Sequence, residues 1–212
     1  MGDRFVWPAL FLLGCYHGLN PGMGWLFAVA IGFQERRTIA VVRAIVPLTI
    51  GHVLSVAIVV AIATFATVQF PHVAVHLAAA AILIGFGVYR LVRARHFRWV
   101  GMRVGFWGLV LWGFLMSSAH GAGLMLLPFV TAAHASAQGA MAMPMVSAVR
   151  GPYAIGWLMV AVHTLGYLLT TTGVALLVYT KVGVRFLRLA WLNLDLVWAI
   201  ALIVTGLIAL LT

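Results

Sequence analysis

CYHGLNPGMGW, residues 15–25, decides how this chain is read. It sits inside an apolar stretch from Phe5 to Phe33 and places a histidine, an asparagine, a proline and three glycines at its centre. At about 1.5 Å per residue the stretch is long enough to cross a hydrocarbon core of about 30 Å. Pro21 lacks a backbone donor and clashes with the preceding turn. Gly18, Gly22 and Gly24 lower the cost of leaving helical geometry. The segment therefore predicts a membrane helix broken around residues 18–22. Backbone groups freed at this depth must be met by protein or by water, so the break predicts a lined cavity.

The rest of the chain agrees with a membrane environment. Of its 212 residues, 65% are hydrophobic and 8% charged, and the mean hydropathy is +1.14. Soluble domains carry about 25% charged residues. Six spans are predicted, at 5–33, 39–68, 73–92, 104–133, 152–180 and 190–211. The first is too long for a removable signal sequence and ends at no small-residue cleavage site. Basic residues sort by side. Arg36, Arg37 and Arg43 flank the first link, Arg90, Arg93, Arg95, Arg98 and Arg103 the third, and Lys181, Arg185 and Arg188 the fifth. Those eleven of the thirteen Lys and Arg residues mark the cytoplasmic side, so both termini are expected outside an inner (plasma) membrane. The formal net charge of +10 is then a topology signal directed at anionic lipid headgroups, not at nucleic acid. The single cysteine, Cys15, excludes an internal disulfide and a CxxC couple.

The chain also repeats itself. YHG at 16–18 returns as AHG at 119–121, inside SSAHGAGLM. IGHVLSVAIVVAIA holds His52, and AVHTLGYLLTTTGVALL holds His163. Setting Gly87 against Gly206 sets His76 against Asp195. The expected fold is an all-α polytopic membrane protein. It has six transmembrane helices in a 3+3 inverted-topology repeat, with the first and fourth helices broken. The repeats are 1–98 and 99–212, the second containing an outer Met-rich link at 134–150. Inverted repeats with interrupted helices are a transporter architecture, with the site at mid-depth.

His17, His52, His120 and His163 each lie 11–16 residues into their spans, roughly 16–24 Å along the axis. Intramembrane histidines are costly and usually functional, although one alone is as readily a hydrogen-bonded packing residue. Four at matching positions point to a shared metal site, since neutral imidazole suits nickel, cobalt, copper and zinc. Cys15, Asn20, Met23, His76 and Asp195 are additional candidates. Asp195 acts either as a ligand, as a partner of an imidazole, or simply as a helix start. Ser55, Ser117, Ser118, Thr164 and Tyr167 supply further polar groups. A softer candidate is the link GAMAMPM, where Met141, Met143 and Met145 follow His134; thioethers select Cu(I). The plainer reading of that link is an apolar loop resting on the membrane.

Over residues 12–62, HGLNPGMGWLFAVAIGF…TIGHVLSVAIVV resembles the NicO-type nickel/cobalt exporters of the LysE-like transporter superfamily. Their motif is HGLEPGH-like, with a histidine in the next helix. The resemblance implies metal contact by His17 and His52. Asn20 stands where that motif has an acid and Met23 where it has a histidine, and the family's His-rich link is missing. The expected function is secondary transport of a transition-metal ion, with protons as the coupling ion and no nucleotide motif to power it. The chain is thus expected to be a transporter rather than an enzyme. The alternative is a membrane metalloprotein, an enzyme or accessory subunit whose histidines hold a haem or a metal as fixed ligands.

Overall fold

The computed structural model describes residues 5–92, 104–139, 152–183 and 194–211. Among them the chain is helical throughout and contains no strand. The helices are α1 (Val6–Leu19), α2 (Trp25–Glu35), α3 (Thr38–Gln69), α4 (His72–Val92), α5 (Phe106–Ala119), α6 (Leu127–Gly139), α7 (Pro152–Leu177) and α8 (Leu194–Leu211). Each begins and ends within about six residues of an expected span, because the same apolar runs that favour a bilayer leave the backbone no partner but itself. α3 and the segment Tyr153–Val182 are each long and apolar enough to cross a membrane. The pair α5 and α6 adds a third crossing if it counts as one span. The first expected span is divided between α1 and α2, of 14 and 11 residues, each shorter than the ~20 needed to cross alone.

The break between α1 and α2 has a local cause. Asn20, preceding a proline, is extended with ψ 121°, as pre-proline residues prefer. Its Oδ1 accepts from Gly22 N at 2.9 Å, capping a single 3₁₀ turn, Pro21–Met23. Gly24 then turns with φ 110°, and a Cβ there would run into the Leu48 side chain. The second break follows α5. Gly121 has φ 69°, and a 3₁₀ turn, Leu124–Leu126, leads into α6. The fourth span was expected to end at 133. α6 instead continues to Gly139, so the first residues assigned to the outer link are helical.

The chain divides into two compact units. One comprises Met1–Ser55, His96–His120 and Val162–Leu194; the other comprises Val56–Arg95, Gly121–Ala161 and Asp195–Thr212. Each draws on both halves of the sequence. In the first unit α1 runs parallel to α7: Gly14 lies against His163 and Tyr167, and Gly18 against Tyr167 and Thr171. α3 runs parallel to α5: Leu48 meets Gly113, His52 meets Ser117 and Ser55 meets Ser118, and Gly51 also packs on the Val110 carbonyl. At both crossings a Cβ on the glycine would strike the facing backbone, so the helices touch main chain to main chain, as small residues permit. Trp25, Val29, Ile45, Leu48, Leu109 and Val178 belong to one apolar core beside them. In the second unit α4 crosses α8 in antiparallel fashion. Gly87 meets Ala199 and Ile203, while Gly206 meets Leu83 and Ile84.

Candidate functional site

The close crossings of the first unit bring three imidazoles together. His17 of α1, His52 of α3 and His163 of α7 are each 0% exposed. Their ring centroids are 5.9 Å (His17–His52), 5.2 Å (His17–His163) and 5.4 Å (His52–His163) apart. Backbone contact at Gly14, one turn from His17, brings α1 and α7 close enough for the rings of His17 and His163 to meet.

His52 is held on two sides. Its ring stacks on Tyr167, centroids 3.9 Å apart and planes 8° apart. Its Nδ1 lies 2.9 Å from Ser117 Oγ. Ser117 Oγ in turn donates to Met23 Sδ at 3.9 Å, and Tyr167 Oη donates to the Met23 carbonyl at 3.1 Å. His52 Nε2 is buried without a hydrogen-bond partner. The ring nitrogens of His163 likewise lack a partner of good geometry.

Of the two ways expected for meeting the freed backbone groups, protein or water, the described break uses protein donors at four carbonyls. Four carbonyls at the break each accept from a side chain: Gly18 from Thr171 Oγ1 (3.4 Å), Leu19 from Trp25 Nε1 (3.1 Å), Gly22 from Trp112 Nε1 (3.0 Å) and Met23 from Tyr167 Oη. Each of these carbonyls is thus met by one protein donor. Trp25, Trp112 and Thr171 were not singled out from sequence. A tryptophan ninety residues away carries no linear signal that its indole N–H will cap a break.

The remaining candidates separate. Asn20 is 6% exposed and spends its oxygen on the Gly22 amide, leaving Nδ2 buried and unpartnered. It is a turn cap, and the atom it offers is a donor, which does not bind a cation. Met23 is 1% exposed and adjoins Ser117. Cys15 is a free thiol of intermediate exposure on α1. His120 is buried beside Gly22, with Nδ1 at 2.8 Å from the Met116 carbonyl; a carbonyl only accepts, so this ring is the Nδ1–H tautomer. Ser55 and Ser118 bond each other at 2.8 Å. His76 belongs to α4 in the second unit. Asp195 falls in the first turn of α8, and His134 on α6; both side chains lie outside the described residues, as do Met141, Met143 and Met145.

Among the described residues no carboxylate joins the three imidazoles. The chain has three acidic residues, of which Glu35 is exposed at the end of α2. Imidazoles sharing one tetrahedral ion at ~2.0–2.1 Å per bond stand with ring centres roughly 5 Å apart, close to the separations here. The ring nitrogens do not yet meet on one point. Among the described residues no group of three or more His, Cys, Asp or Glu side chains is arranged to hold a metal ion. The cluster is therefore spaced, but not turned, for coordination. No family model, no curated protein and no solved structure matches this chain.

Proposed function

We propose that this chain is an integral-membrane secondary transporter. It carries a transition-metal ion of the nickel, cobalt or copper class through the site formed by His17, His52 and His163. The observation that carries the reading is the triangle of buried imidazoles from three different helices, 5.2–5.9 Å apart. Neutral imidazole and thioether suit borderline and soft ions, whereas hard ions favour carboxylate and carbonyl oxygens. Loading requires the rings to turn toward a common point. Helix shifts would do this, because each ring rides on its own helix, and such movement is what alternating access demands. Imidazole as a side chain can take either a proton or a metal ion on the same nitrogen, which offers a proton gradient a means of coupling.

The helix crossings support a six-span 3+3 inverted repeat for this carrier. An axis in the membrane plane exchanges spans one and four, two and five, and three and six. It therefore maps the α1–α7 pair onto the α5–α3 pair, and both are parallel. It also pairs spans three and six with themselves in antiparallel fashion, as α4 and α8 are, with Gly87 and Gly206 at one crossing. His52 and His163, equivalent in sequence, face each other. The reading places both termini outside an inner membrane. A fixed haem is the weaker reading. Between any two of these rings the third stands in the plane the macrocycle would fill.

The test is uptake of Ni(II), Co(II) and Cu(I) by proteoliposomes, with His17→Ala, His52→Ala and His163→Ala in parallel. Transport of at least one ion by the wild type and its loss in all three variants supports the proposal. Wild-type vesicles that move none of the three, or a Soret band in the purified protein that disappears in His52→Ala, would sink it.

A further inference from the structure

We infer that Ser117 is a positioning residue: it holds His52 as the Nδ1–H tautomer and leaves the Nε2 lone pair as the atom offered to a bound cation. The last clause rests on the metal reading above; the tautomer does not.

The chain of three side chains fixes the direction of the protons. Met23 Sδ has no hydrogen and can only accept, and the Ser117 hydroxyl donates to it. Ser117 has one hydrogen. With that hydrogen turned toward Met23, 3.9 Å away, the 2.9 Å contact with His52 Nδ1 is accepted by Oγ, which places a hydrogen on Nδ1. A neutral imidazole then carries a bare lone pair on Nε2. The opposite arrangement would leave Met23 Sδ without its donor and bury an N–H at Nε2, where no acceptor is found. Orphaned buried N–H groups are the rarer defect.

The ring has little freedom to escape this choice. Tyr167 lies flat on it at 3.9 Å, and Tyr167 is itself tied to the Met23 carbonyl. α3 and α5, which carry His52 and Ser117, meet backbone to backbone at Gly51 and Gly113. Ser117 is 1% exposed at this close crossing and contacts His52 at Nδ1, on the other side of the ring from Nε2. Groups in this relation to a ligating histidine set its tautomer and basicity, and their loss typically costs about 10–100-fold in metal affinity.

The experiment uses full-length protein with ¹⁵N-labelled histidine in lipid bilayers. The ring ¹⁵N shifts separate protonated from bare nitrogens, and His52→Gln assigns the His52 signals. In the wild type, His52 is expected protonated on Nδ1 and bare on Nε2; this reading needs no further variant. Ser117→Ala should move part or all of the His52 population to Nε2–H and weaken Ag(I) or Ni(II) binding about 10–100-fold. Ser117→Thr, which keeps the hydroxyl, should restore both. A wild-type His52 protonated on Nε2, or a Ser117→Ala spectrum unchanged at His52, overturns the inference. If the tautomer behaves as stated but neither Ag(I) nor Ni(II) binds wild-type protein, the role of Ser117 in fixing the proton stands and the metal reading alone falls.

Discussion

His52 and Tyr167 lie face to face, centroids 3.9 Å apart with 8° between their planes. Tyr167 is anchored in turn by its hydroxyl, which donates to the Met23 carbonyl in the broken segment. One aromatic residue therefore both steadies an imidazole and closes the backbone break. The two tasks come apart by mutation. Tyr167→Phe keeps the stack and leaves the Met23 carbonyl buried without its donor, at a cost of about 1–3 kcal/mol. Tyr167→Ala also removes the ring and opens a cavity, costing about 3–5 kcal/mol. Unfolding in detergent by denaturant should rank wild type above Phe above Ala, and equal stability of the two variants would contradict the separation.

Trp112 should matter for its N–H as well as its bulk. Its indole donates to Gly22 O at 3.0 Å. Trp112→Phe retains an aromatic ring but strands that carbonyl, an expected loss of about 1–3 kcal/mol. Trp107 is 76% exposed, so Trp107→Phe serves as the control. The check is the difference between the two midpoints of thermal unfolding.

The glycines divide into two classes with opposite responses to alanine. At Gly14 and Gly51 a Cβ would strike a facing backbone carbonyl, of His163 and Val110 respectively. Alanine at Gly14 should push apart α1 and α7, which carry His17 and His163, and alanine at Gly51 should push α3, which carries His52, off α5 and Ser117; both should lower stability and metal binding together. At Gly85 and Gly173 nothing lies within 4 Å of the added atom, and alanine should stabilise by up to about 1 kcal/mol through helix propensity. Paired measurements of melting and bound metal decide it; a melting loss at Gly85 as large as at Gly14 would show that the crossings do not matter.

Removing any one imidazole of the triangle should lower bound metal at least about tenfold in purified protein, since two ligands hold an ion far less well than three. His76→Ala, on α4 in the other unit, should leave the stoichiometry unchanged. Elemental analysis after dialysis against equal metal compares the set directly.

Much of the helical layout was legible because its causes are local. A proline with flanking glycines inside an apolar run names a break, and Pro21 and Gly24 are where the helix parts. Apolar runs bounded by links name helices, and α3 and α7 match theirs closely. What escaped was each side chain's partner. Asn20 reads as a site residue by position, yet its oxygen is spent on the Gly22 amide two residues away. The break reads as a demand for partners, protein or water, without saying which; Thr171, Trp25, Trp112 and Tyr167 meet it. Three of those four donors come from other helices, so no spacing along the chain announces them.

The sequence by itself determined that the chain is helical and apolar, where its first helix must part, and which polar residues lie deep within the apolar runs. Those are consequences of backbone chemistry and hydropathy, which act over a turn or two. Only the tertiary structure decided that His17, His52 and His163 draw within 6 Å of one another. It also decided that Ser117 and Tyr167 hold His52 from two sides. Those outcomes depend on helices that touch at Gly14 and Gly51, where a missing side chain sets the distance between backbones.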